Sequence, residues 1–167
     1  MPNSDRTAPL AVSFERTYQA SVADLWALWT TKEGFESWWG PQGFRVDVQE
    51  IEPRVGGALV YDMIAVGAGE IEFMKKTFKS VSHGTRGSFT VVVLHERLEL
   101  VHVMDFVPGQ SPYEHRMRVE FSAEGKIARM AIFVESHSTR EWTQASLNGM
   151  ESQLTKVPAA LAARARR

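Results

Sequence analysis

The sequence predicts an α+β fold in which an antiparallel, seven-stranded sheet curves around a long C-terminal helix, with two short helices after the first strand. Three observations predict it. Seven segments alternate apolar and polar residues at period two, the mark of strands with one buried face. The period shifts to that of a helix just after the first strand and again near the C-terminus. Short turn sequences, several built on glycine or proline, join most of the strands, so neighbours pair as hairpins with the helices gathered on one side. The concave side of such a sheet, closed by the last helix, is a natural pocket.

Taken in order, residues 1–9 are polar, hold two prolines and read as a disordered start to a single domain over 10–163. Leu10, Val12, Phe14 and Tyr18 then mark the first strand. Val22, Leu25, Trp26 and Trp29 follow at i, i+3, i+4 and i+7, one face of a helix, with Ser21 and Asp24 as its capping box. A second short helix carries Phe35, Trp38 and Trp39 and stops at Gly40-Pro41. Strands are expected at 44–52 and 59–63, joined through Pro53 and Gly56-Gly57. Residues 67–86 break the rhythm and read as an inserted flap, with Ile71–Phe78 able to form two helical turns; it either gates the pocket or makes a homodimer contact. Strands resume at 87–95, 98–106, 113–121 and 126–135, the Pro108-Gly109 turn lying between the middle two. A helix begins near 139, capped by Ser138 and Glu141, and Pro158 should kink or shorten it. Residues 164–167 read as a basic, solvated tail.

Composition excludes several classes. Nineteen basic residues balance 20 acidic ones without a basic stripe, so no nucleic acid is expected as a partner. The absence of cysteine removes disulfides, thiolate catalysis and Cys-ligated zinc. No apolar run has the length of a signal peptide or a membrane span, so the expected setting is the cytoplasm, away from membranes.

Several local strings resemble the activator of heat-shock protein 90 ATPase homologue family, within the START-like (SRPBCC) superfamily of helix-grip folds. They are Ser21-Val-Ala-Asp-Leu-Trp-Ala-Leu-Trp29, Phe35-Glu-Ser-Trp-Trp-Gly-Pro41, Gly43-Phe44, Pro53-Arg-Val-Gly-Gly57, Glu96-Arg-Leu98 and Gly149-Met-Glu-Ser-Gln-Leu154. Together they span about residues 12 to 161. The resemblance implies a helix-grip fold and a cavity; it does not carry chaperone regulation with it. This chain departs from the family's pattern at Met150, where members commonly show tryptophan, and near Val91, where they show an acidic residue. The 67–86 insertion also replaces a short turn, which makes any pocket entrance here its own.

Strand parity and side-chain size select the ligand-binding candidates: Trp38, Trp39, Leu59, Tyr61, Met63, Phe78, His102, Met104, His115, Met117 and Met150. Methionine and aromatic side chains adapt to varied apolar ligands. The turn between their strands should place His102 and His115 opposite or diagonal on one face, each able to act as acid, base or ligand-orienting donor. No metal site is expected, since the histidines at 83, 95, 102, 115 and 137 lack paired ligand spacing. No nucleophile elbow or phosphate loop appears, and no cofactor is expected. The leading expectation is a binding domain for a small apolar or aromatic molecule. Its rivals are an acid–base cyclase, dehydratase or hydrolase using His102 or His115 on a polyketide-like or aromatic substrate, and a chaperone-associated or stress-response domain that binds protein through Trp38 and Trp39.

Overall fold

The computed structural model describes residues 12–107 and 109–166. The N-terminal segment read as disordered, Leu10 of the first strand, Pro108 of its turn and Arg167 of the tail lie outside the described residues. Seven antiparallel strands form one sheet in the order β1-β7-β6-β5-β4-β3-β2. They are β1 (Val12–Gln19), β2 (Phe44–Ile51), β3 (Ala58–Ala65), β4 (Ser82–Val93), β5 (Arg97–Met104), β6 (Tyr113–Glu124) and β7 (Ile127–Val134). Helices α1 (Val22–Thr30) and α2 (Lys32–Glu36) follow β1, α3 (Ala68–Phe78) joins β3 to β4, and α4 (Arg140–Leu154) and α5 (Val157–Ala165) close the chain. This is the helix-grip arrangement, a curled sheet closed by C-terminal helix. None of the described helices is long and apolar enough to cross a membrane.

Alternation sets the two faces of the sheet. Along β6 the burial pattern puts His115, Met117, Val119 and Phe121 inside, while Arg116, Arg118 and Glu120 face outward. On the outer face Arg118 lies 4.7 Å over the Phe133 ring and Arg129 pairs with Glu15 at 2.8 Å. Half of the concave face is filled by α1 and α2. Trp29, Phe35 and Trp38 are fully buried there and meet Trp39 and Phe121 edge-on or stacked at 4.8–6.5 Å. The Trp38 indole donates to the Leu28 carbonyl at 2.8 Å, so its one polar atom is satisfied inside the core.

Three local features depart from the sequence-based expectation. Ser21 does cap α1, its Oγ accepting from the Asp24 amide at 3.0 Å. The cap of α4, however, is Thr139 and not Ser138: its Oγ1 accepts from the Trp142 amide at 3.1 Å. The 67–86 segment is part helix and part strand. It holds α3, and Ser82 to Arg86 already pair with β3, Arg86 with β5 as well. The final helix breaks before Pro158, at Thr155 and Lys156, and the proline sits in the first turn of α5, where its missing N–H costs nothing. That helix reaches Ala165, and Arg164, at the start of the segment read as a tail, lies 3.5 Å from Asp24 of α1.

Candidate functional site

The other half of the concave face is not filled. Helix α4 covers it, but the residues it turns toward the sheet include Ala145, Ser146 and Gly149, which are too small to reach the strands. They share one face at helical spacing with Trp142, Met150 and Gln153. A cavity of about 240 Å³ remains between helix and sheet. Its floor is buried and made of Trp39, Tyr61, His102, His115 and Met117, with the buried Met150 of α4 facing them. Its mouth is partly exposed, between Trp142 and Ala145 on α4 and His83, Met104 and Phe106 on the sheet side. Gln153 pins the lid at the closed end, its Oε1 accepting from the Gly40 amide at 2.8 Å.

A polar seam crosses the floor at right angles to the strands. Trp39 Nε1 donates to the Tyr61 hydroxyl at 3.1 Å, and that oxygen lies 3.2 Å from His102 Nε2. Tyr61 is on β3 and His102 on β5, two strands apart and so about 9.6 Å between backbones. They meet because Gly87, directly opposite His102 on the intervening β4, has no side chain. A Cβ there would lie 2.5 Å from the Val101 carbonyl oxygen, closer than real contacts allow. His102 and His115 are direct cross-strand partners, as the alternation and the turn between them predicted. His115 donates through Nε2 to the Glu135 carbonyl at 2.8 Å and stacks on His137, centroids 3.8 Å apart and planes 8° off parallel. His137 is held in turn, its Nδ1 2.8 Å from the Tyr113 hydroxyl and its amide bonded to Thr143 Oγ1 at 2.8 Å.

Burial keeps this seam uncharged. Desolvation, with the nearby His115 and His137 adding to it, lowers the His102 pKa to about 4. His137 is lowered to about 4 by burial and by His115. His115 and His83 are lowered too, burial again the main cause. The Tyr61 phenol is pushed well up, chiefly by burial. At neutral pH the floor is therefore a set of neutral imidazoles and one neutral phenol, and among the described residues no Asp, Glu, Lys or Arg lines the cavity. Among the described residues no group of three or more His, Asp or Glu side chains is placed to hold a metal ion.

Of the candidates read from sequence, Trp39, Tyr61, Met63, His102, Met104, His115, Met117 and Met150 line this one cavity. Trp38 and Leu59 lie behind its wall, fully buried in the core. Phe78, at the end of α3, stands outside the mouth against His83 (5.6 Å) and Phe106 (6.4 Å). With Trp38 at 0% and Trp39 at 6% exposure, the two indoles offer no surface to a protein partner, which removes the contact patch proposed for them. Sequence reasoning missed His83, Thr85 and His137. The first two fell in the segment read as a flap, and His137 lies in a loop with no period to place it. The small residues of α4 were not singled out from the sequence as the reason for a void.

Sheet order, closing helix and cavity together define a helix-grip domain of the START-like type. The chain belongs to the activator of Hsp90 ATPase homolog 1-like family, whose model matches residues 19–164. No curated protein matches it. Among solved structures it is similar to a protein of Chromobacterium violaceum, with TM-score 0.70 and 18% identity over 89% of this chain and 94% of that one. A Nitrosomonas europaea protein matches at TM-score 0.70 and 16% identity, covering 92% and 95%. A Silicibacter pomeroyi protein of the same family name matches at 0.69 and 18%, covering 90% and 96%. At these identities the likeness is one of fold.

Proposed function

We propose that this domain binds a small apolar or aromatic molecule in the cavity between the sheet and α4. One observation supports this above the others: a cavity of about 240 Å³ with a buried floor, an open mouth and walls rich in methionine and aromatic side chains. An apolar cavity of about 150 Å³ suffices for benzene, so this one suits a molecule of about two fused rings. Affinity would come mainly from burial, at roughly 25 cal/mol per Å² of apolar surface, and the neutral imidazoles would orient the ligand.

Comparing native with denaturing mass spectra of freshly purified protein tests the reading. An added mass that leaves on denaturation supports it and lets the molecule be identified. Protein that carries no added mass from several expression hosts, and that takes up neither naphthalene nor its derivatives in titration, sinks it. The acid–base enzyme reading draws on the same imidazoles. It requires that His102→Gln or His115→Gln abolish turnover of a bound molecule while leaving its binding largely intact.

A further inference from the structure

We propose that the cavity selects an uncharged aromatic molecule carrying a hydroxyl group, which it binds by accepting that hydroxyl's proton in a hydrogen bond at Nδ1 of His115. The proposal rests on the ligand-binding reading above and gives it a chemical class.

The argument begins with the hydrogen bond that fixes the ring. His115 Nε2 lies 2.8 Å from the Glu135 carbonyl oxygen. A carbonyl oxygen only accepts, so Nε2 carries the proton, and in a neutral imidazole the other nitrogen is then a bare acceptor. Burial holds His115 neutral at physiological pH. Its Nδ1 makes no hydrogen bond with any described residue. Among the described residues, the buried side-chain nitrogens and oxygens lacking a hydrogen bond and closed off from open space are Nε atoms of three arginines, and His115 Nδ1 is not one of them. It therefore borders open space, and the space against this buried ring is the cavity. The stack on His137 covers one face of the ring, so the lone pair has a fixed direction.

A buried acceptor of this kind calls for a donor on the ligand, because an unmatched polar group in an apolar site carries a desolvation penalty. Cross-strand from it, His102 also lines the cavity and has committed Nε2 to Tyr61. A hydroxyl both donates and accepts, so it suits the pair with either proton placement on His102. The lack of any charged side chain among the described lining residues disfavours a carboxylate or an ammonium, which would enter without a counter-charge. The four methionines around the cavity, Met63, Met104, Met117 and Met150, give the polarisable contacts that aromatic rings favour.

Calorimetric titration of the full chain with 1-naphthol, 1-methoxynaphthalene, naphthalene and 1-naphthoate tests the class. The expected result is that 1-naphthol binds about tenfold more tightly than 1-methoxynaphthalene or naphthalene, the worth of one hydrogen bond, and that naphthoate binds most weakly. Long-range nitrogen–proton NMR of the same samples reads the atom itself. In free protein His115 should show a protonated Nε2 and a bare Nδ1, and 1-naphthol but not 1-methoxynaphthalene should shift the Nδ1 signal. His115→Phe should erase the naphthol preference while naphthalene still binds. Equal binding of the three neutral probes, or tightest binding of naphthoate, overturns the hydroxyl proposal and leaves the apolar cavity standing. Failure of all four to bind overturns both.

Discussion

The two halves of the concave face share one sheet and differ in what covers it. Over β7 and β6, α1 brings large side chains inward, α2 packs on β2 beside it with the Trp38-Trp39 turn, and the result is a dry aromatic core with Trp29, Phe35 and Trp38 at 0% exposure. On the β3 to β6 side, α4 brings alanine, serine and glycine inward, and the same pleated surface is left holding a void. The strands do not decide between core and cavity. The covering helix does, through the volume of the residues at its i, i+3 and i+4 positions. Polarity follows volume: the filled half keeps its polar atoms inside the hydrogen bonds of tryptophan, while the open half leaves imidazole nitrogens facing space.

The sharpest way to break the comparison is to hollow the filled half. Trp29→Ala should cost about 3–5 kcal/mol, read as a fall in the urea midpoint, because the indole is fully enclosed and also loses its contact with Met130 Sδ at 3.3 Å. If stability barely changes, the two halves are not the opposites described here.

Acid should act on the open half. His102 has a folded pKa of about 4 against an ordinary 6.5, so the unfolded chain binds more protons between those values. Its contribution to stability is complete above about pH 6.5 and is lost as pH falls toward 4, a change on the order of 3 kcal/mol. His83, His115 and His137 shift the same way. Melting temperatures from pH 7.5 down to 4.5 should fall steeply in the wild type and less steeply in His102→Phe. Parallel slopes for the two proteins would refute the buried-neutral account of His102.

The helix caps sharpen the contrast at a smaller scale. Ser21→Ala and Thr139→Ala should each cost about 1 kcal/mol. Only the second should also weaken uptake of naphthalene, because Thr139 starts the helix that lids the cavity and leads out of the His137 loop. Equal effects on uptake would show that the lid is not positioned locally. Smallest in stability and decisive for function is Ser146→Leu. It should leave the melting temperature within a few degrees and abolish naphthalene uptake by filling the void from the helix side.

How much of this was legible depends on which interactions encode it. His102 and His115 could be paired from sequence because strict alternation fixes parity and a connecting turn fixes register, both local properties. The long C-terminal helix was legible from its period, though not its break at Lys156, since proline marks the neighbourhood of a stop and not the residue. Thr139 capped α4 in place of Ser138, a one-residue error in which two adjacent hydroxyl residues offered the same chemistry. His83 and Thr85 were lost because Gly84 and Gly87 weaken the alternation of β4, and Gly87 is required there by the close approach of Val101. His137 gave no signal at all: its place is set by Tyr113, Thr143 and His115, residues six to 24 positions away.

Gly87 has one more implication, for how such a domain changes over generations. The seam from Trp39 to His102 depends on a strand position where no side chain fits, so the floor is tied to the backbone and resists single substitutions. The ceiling includes the small residues Ala145 and Ser146 on α4, which border the void, and substitutions there meet less resistance. Descendants of this chain could therefore alter the size of molecule they accept, one helix residue at a time, while inheriting the same hydrogen-bonding floor. Ligand shape would drift quickly in such a lineage, and ligand chemistry slowly.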